Sequence, residues 1–166
     1  MAKRIFLIVI AVLVIIQFIR PTRNISTSES SNAIAKHYQV PDTINNMMKV
    51  ACNDCHTNNT RYPWYTNIQP VGWWMQWHVN EGKKHVNYEE FASYAPKKQY
   101  KKMEETAELV KKDEMPLNSY LWIHHDAKLT DAQKDLFNNW ATQLQEKIRK
   151  DNNIQPDEKK EPVGER

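Results

Sequence analysis

Apolar residues enter this chain in two kinds of pattern. The first is an unbroken run over 5–16, followed by Gln17, Phe18 and Ile19, with Lys3 and Arg4 before it and Arg20 behind. A helix made of it has no polar side to show water. The other runs are periodic, with apolar residues three and four apart, which is the spacing of one helix face. Ile44, Met47, Met48 and Ala51 predict a helix over 41–51, with Pro41 suited to its first turn. Val71, Trp74, Met75, His78 and Val79 predict a second over 71–82, with Gly82 as its C-terminal cap. Tyr100, Met103, Ala107 and Val110 mark a third over 96–112. The last opens at Thr130, three residues before Gln133 as a capping box requires, and its apolar line is Leu136, Phe137, Trp140, Leu144 and Ile148. A short helical turn fits 87–94, with Asn87 and Glu90 as its cap pair. No stretch alternates as a strand would, and nothing repeats, so the pattern predicts an all-α domain.

The N-terminal run bears on location. Its residues 5–19 reach roughly 22 Å as a helix, against a hydrocarbon core of about 30 Å, but the flanking Lys3, Arg4 and Arg20 can snorkel and lengthen the effective span. No small-x-small cleavage site follows closely; 26–28 is a distant, poor candidate. We therefore expect an N-terminal membrane anchor over 1–20. A cleaved signal peptide is the alternative, and a buried soluble helix the third choice. Anchor and signal would both export the rest of the chain. Arg20 and Arg23 offset Lys3 and Arg4, so charge bias does not set orientation. Residues 21–36 are rich in Ser, Thr and Asn and read as a flexible tether. Residues 151–166 mix Pro, Gly and both charges and read as disordered, which leaves 37–150 for the domain.

Composition agrees with helix. There are only 3 glycines, and Lys, Glu, Gln and Ala are plentiful, side chains that lose little freedom in a helix. A net charge of +3 is too small to imply a nucleic-acid partner, and no basic stretch is interleaved with aromatics as a stacking platform would be. No nucleophile–base set or phosphate loop argues for an enzyme.

Both cysteines of the chain fall in one motif, Cys52-Asn53-Asp54-Cys55-His56. This is the C-x-x-C-H pattern of c-type haem attachment. Two thiols three residues apart lie close enough to join both vinyl groups of one porphyrin, and the adjacent histidine is then held beneath the iron, where imidazole is a suitable axial ligand. Zinc would need two further ligands, from His78, His85, His124 or His125, without a second C-x-x-C or paired-His spacing. A thioredoxin-like pair would need a βαβ context that is missing. A plain disulfide would close a very small loop and constrain the unfolded chain little.

Around the motif the resemblance extends further. Residues 41–140 resemble the bacterial haem-binding domain family of small single-haem proteins related to cytochromes c. The matching stretches are Ala51 through His56, Tyr62-Pro63-Trp64-Tyr65, Ile68-Gln69-Pro70-Val71, and Trp74 ahead of His78-Val79-Asn80-Glu81-Gly82. They continue with His85-Val86-Asn87-Tyr88, Glu114-Met115-Pro116 and Leu129-Thr130-Asp131-Ala132. Tyr88 departs from the expected Phe. The resemblance implies a cytochrome c-like helical domain binding one covalent haem c through Cys52 and Cys55, with His56 as proximal iron ligand. It also implies export, since thioether attachment takes place on the outer side of the bacterial cytoplasmic membrane. With the anchor, the expected location is a single-pass protein of that membrane with its haem domain facing outward.

Met115-Pro116 resembles the Met-Pro loop that delivers the distal thioether in small cytochromes c, and Pro116 stiffens it. Met115 is thus the expected distal ligand, with a core methionine as the plain alternative. His78, on the apolar stripe of its helix, is the rival ligand. The aromatic cluster of Tyr62, Trp64, Tyr65, Trp73, Trp74 and Trp77 would wall the porphyrin or fill the core, and Arg61 and Trp64 are candidates to meet the propionates. The lysines at 97, 98, 101, 102, 111 and 112 would steer an acidic redox partner, or form a solvated face. The expected function is one-electron transfer with an unidentified redox partner protein. The alternative is a haem sensor or small-ligand module with an open sixth site, and a haem-free zinc or thiol-redox protein is the third.

Overall fold

Each of the four periodic faces folds as a helix close to its predicted bounds. The computed structural model describes residues 1–155, and among them every regular element is helical. In chain order these are α1 (Ala2–Ile16), α2 (Ile34–His37), α3 (Asp42–Ala51), α4 (Asn53–His56), α5 (Val71–His85), α6 (Pro96–Lys111), α7 (Asn118–Leu121) and α8 (Asp131–Asp151). Single 3-10 turns occur at Trp64–Asn67, Phe91–Ser93 and His125–Ala127.

The core forms where α6 and α8 pack along one another and α3 lies against α8. Ile44, Met47 and Met48 of α3, Met103 and Val110 of α6, and Phe137, Trp140, Ala141, Leu144 and Ile148 of α8 meet there with Tyr88 and Phe91. Full burial of side chains such as Phe91 and Phe137 contributes roughly 1.5–3 kcal/mol each. At the start of α8 both halves of the capping box are present: the Gln133 backbone N–H donates to Thr130 Oγ1, and Thr130 N–H donates to Gln133 Oε1. Leu136, read as buried, is 46% exposed, and Ala141 fills the core in its place.

Helix α6 ends in a Schellman arrangement. Asp113 takes the left-handed conformation at φ 59°, its N–H bonds the Val110 carbonyl, and the Glu114 N–H bonds that of Leu109. The turn throws Met115-Pro116 back across the end of the helix. Asn153, at φ 51°, ends α8 the same way and lays Ile154 against the core. Residues 156–166 of the tail expected from composition lie outside the described residues.

Three expectations are corrected. Gly82 does not cap α5, which runs three residues further to His85. The buried line of α5 is Gly72, Gln76 and Val79, while Val71 and Trp74 face outward. Valine, methionine and three tryptophans are spread around this helix, so periodicity alone did not single out the core side; packing of α4 and the Trp64–Asn67 turn did.

The third correction is the membrane anchor. No helix among the described residues is long and apolar enough to cross a membrane. The sequence reading had carried the span through Gln17 to Ile19, but α1 stops at Ile16 after 15 residues, about 22 Å. The next residues belong to the domain. Gln17 Nε2 donates to the carbonyls of Leu13 and Gln69, its Oε1 accepts from the Gln69 N–H, and Trp73 Nε1 donates to the Ile19 carbonyl at 2.7 Å. They are not available to lengthen a span, and the single-pass, outward-facing location that rested on it falls as well. Downstream, where composition suggested a tether, Asn24 is held from three sides. Its N–H donates to the Tyr62 hydroxyl, its amide to the Thr57 carbonyl, and its own carbonyl accepts from the Thr60 N–H.

Candidate functional site

The cysteine motif is a single helical turn separated from α3 by Cys52. Cys52, with φ −124° and ψ −42°, breaks the helix, and its carbonyl accepts from both Cys55 N–H and His56 N–H. Residues three and four apart thereby share a face. The carbonyls of so short a helix need outside partners. Thr57 Oγ1 donates to the Asn53 carbonyl at 2.7 Å, Thr60 Oγ1 to that of Asp54 at 2.6 Å, and Tyr88 N–H to that of His56 at 2.8 Å. At Cys55 the neighbour is Gly82 of α5, where a Cβ would stand 2.6 Å from the Cys55 carbonyl oxygen. The absent side chain lets the two backbones touch.

The turn forms one wall of an apolar cavity of about 360 Å³. Cys52 faces it from the break between α3 and α4, Cys55 and His56 from α4, Trp77 and His78 from α5, Leu109 and Val110 from α6, and Met115 and Tyr120 from the segment after α6. Its size falls in the range of ligand pockets. The sequence-predicted ligands Cys52, Cys55, His56, Met115 and His78 are thus brought to one space. Trp64 is not among its walls; it is 75% exposed on its 3-10 turn, its ring against Tyr65.

His56 Nδ1 lies 3.0 Å from the Val86 carbonyl, so it carries the proton and donates, leaving Nε2 with a free lone pair. Burial lowers the imidazole below its ordinary value, only partly offset by the carbonyls of Val86 and Gly82. The neutral, ligand-competent form is favoured, and a backbone partner on the second nitrogen is what orients metal-binding histidines. His78 is arranged differently. Its Nδ1 bonds the Trp74 carbonyl one turn back at 2.9 Å, and its ring sits between Trp74 and Trp77 at 4.3 and 4.7 Å.

Cys52 and Cys55 are free thiols. Burial, aided by Cys55, pushes Cys52 up to about 12; burial, aided by Asp54, pushes Cys55 up to about 11. A thiol-redox pair needs the opposite shift. Among the described residues no three His, Cys, Asp or Glu side chains converge to hold a metal, so the zinc reading finds no ligand set. An apolar slot with two thiols, an oriented imidazole and a thioether on its walls does fit a haem.

The comparisons with known proteins agree. The haem-binding domain family matches residues 11–143, and the chain belongs to that family. It is a haem-binding domain. No curated protein and no solved structure matches the chain.

Sequence reading missed several wall and support residues. Tyr120 closes the cavity beside Met115, and Tyr88 packs its ring 6.0 Å from His56, its hydroxyl on Thr106. Burial, then the Asp54 charge, drives the Tyr120 hydroxyl well above its usual range, so it keeps its proton and donates. Arg61, a candidate for a propionate, pairs with Asp54. A signal for Tyr120 existed in its position four residues past Pro116, but nothing in periodicity marks it.

Proposed function

We propose that this domain holds one haem covalently through Cys52 and Cys55, takes His56 Nε2 and the Met115 sulfur as axial ligands, and carries single electrons. The observation that carries the reading is the convergence of both thiols, the oriented His56 imidazole and Met115 on one apolar cavity. Haem bound there supplies a one-electron iron couple, and a Met/His ligand set raises its potential. Each thiol adds across one vinyl group, sulfur to one carbon and hydrogen to the other, so attachment requires no oxidant. The leucine and valine walls keep water from the ring, and the Val86 carbonyl holds the His56 proton on Nδ1.

Electron carriage is the reading that a thioether and an imidazole facing one apolar cavity support. A separate redox protein must then supply and accept the electron. Three of the lysines between 97 and 112 have partners within the chain. Lys102 is 17% exposed and paired with Glu105, Lys112 is paired with Glu108, and Lys98 lies over the Tyr94 ring.

The test is attachment. Haem stays with the polypeptide through denaturing electrophoresis and acidified organic extraction, and Cys52→Ala with Cys55→Ala releases it. Haem that extracts freely from wild-type protein matured with cytochrome c machinery overturns the covalent reading.

A further inference from the structure

Asp54 lies inside the attachment motif and has no part in the reading above. It is nevertheless a charged side chain only 5% exposed, and all of its lone pairs are used. Oδ1 accepts from the backbone N–H and the Nε of Arg61, each at 3.1 Å. Oδ2 accepts from Arg61 Nη2 at 3.2 Å and from the Tyr120 hydroxyl at 2.8 Å. The forked guanidinium neutralises the carboxylate and fixes its plane. Tyr120 belongs to α7, directly after the Met115-Pro116-Leu117 segment. Its hydroxyl also stands 3.2 Å from the Val50 carbonyl at the end of α3, and its ring stacks on His124 at 4.2 Å and 13°. His124 Nε2 in turn meets the Tyr65 hydroxyl at 2.9 Å.

Among the described residues, the hydrogen bonds that join 115–124 to 50–56 both end on the Tyr120 hydroxyl. The wall bearing the thiols and His56 is thereby fastened to the wall bearing Met115 at one buried carboxylate. We infer that Asp54 is a positioning residue, which through Tyr120 sets the spacing between the His56 and Met115 sides of the haem cavity. Its purpose in the motif is mechanical. A thioether is a weak ligand, and it stays on iron only if its loop is held at the right depth.

The spectroscopic arm rests on the proposed haem ligation; the exchange arm does not. Tyr120→Phe keeps the ring and its stacking and removes one hydroxyl, and Asp54→Asn keeps the size of the side chain. In the full-length haem-loaded protein, both variants weaken the near-infrared sulfur-to-iron band and raise the affinity of the ferrous form for carbon monoxide by about tenfold, as loss of a hydrogen bond to a charged group predicts. In the haem-free full chain, the amides of 115–121 exchange with solvent about tenfold faster in Tyr120→Phe than in wild type. A wild-type band, carbon monoxide affinity and exchange rate in Tyr120→Phe overturn the inference and leave the haem reading standing. Wild-type protein without haem, or without the sulfur band, overturns that reading or its Met115 ligand. Exchange at 115–121 then decides the clasp alone, faster supporting it and unchanged refuting it.

Discussion

Met115 and His78 face the same cavity, yet their surroundings differ in a way that chemistry can read. His78 bonds its own helix and is flanked by two indole rings, whereas Met115 follows the turn that ends α6 and rests at the fringe of the core. Met115→Ala is therefore expected to abolish the near-infrared sulfur band, lower the potential and open a site for carbon monoxide, while His78→Ala leaves all three in place. The reverse outcome in absorption spectra and redox titration would make His78 the ligand. Gly82 gives a second residue-scale test. A methyl group there meets the Cys55 carbonyl at 2.6 Å and its Cβ at 3.1 Å, and both are backbone-bound atoms that cannot swing away. Gly82→Ala is expected to cost roughly 1–3 kcal/mol, read by chemical denaturation, and to lower the haem content of the purified protein.

Between elements, the polar contacts that hold the segments around the cavity titrate. Burial alone would raise Glu90, but hydrogen bonds from Asn58, Asn32 and Ser30 outweigh it and hold the carboxyl below its ordinary 4.5. Asn58 lies just past α4 and Asn32 just before α2, so this carboxylate ties both segments to the turn at Phe91–Ser93. A depressed carboxyl contributes stability that is present above 4.5 and lost as pH falls through the folded-state value. The melting-temperature gap between wild type and Glu90→Gln should thus be widest near neutral pH and close on acidification below about 4.5. A gap independent of pH would show that the carboxylate charge does nothing there. The capping box is tested apart from the site: Thr130→Ala should cost about 1 kcal/mol in urea unfolding, with the haem spectrum unchanged.

At the scale of the molecule, α1 has no buried residue, and among the described residues the side-chain hydrogen bonds from this end of the chain to the domain begin at Gln17. Removing residues 2–16 should change the domain's unfolding free energy, read by urea denaturation, by less than about 0.5 kcal/mol. A larger loss would mean that α1 packs on the domain.

The sequence by itself determined the helical class, the bounds of α3 and α6 and the start of α8 to within about a residue, and the haem-binding family. These are local properties. A 3.6-residue period, a Thr130–Gln133 cap and a five-residue motif are all read over short windows, where covalent spacing dictates which side chains are neighbours. Tertiary structure alone decided which side of α5 is buried, that Gly82 is a contact with Cys55 rather than a cap, and that Arg61 answers Asp54. It also decided where the N-terminal helix ends, because Gln17 and Ile19 take their partners from Gln69 and Trp73, about fifty residues away. Such pairings depend on which segments are brought together in space, and one carboxylate meeting both Arg61 and Tyr120 leaves no periodic trace along the chain.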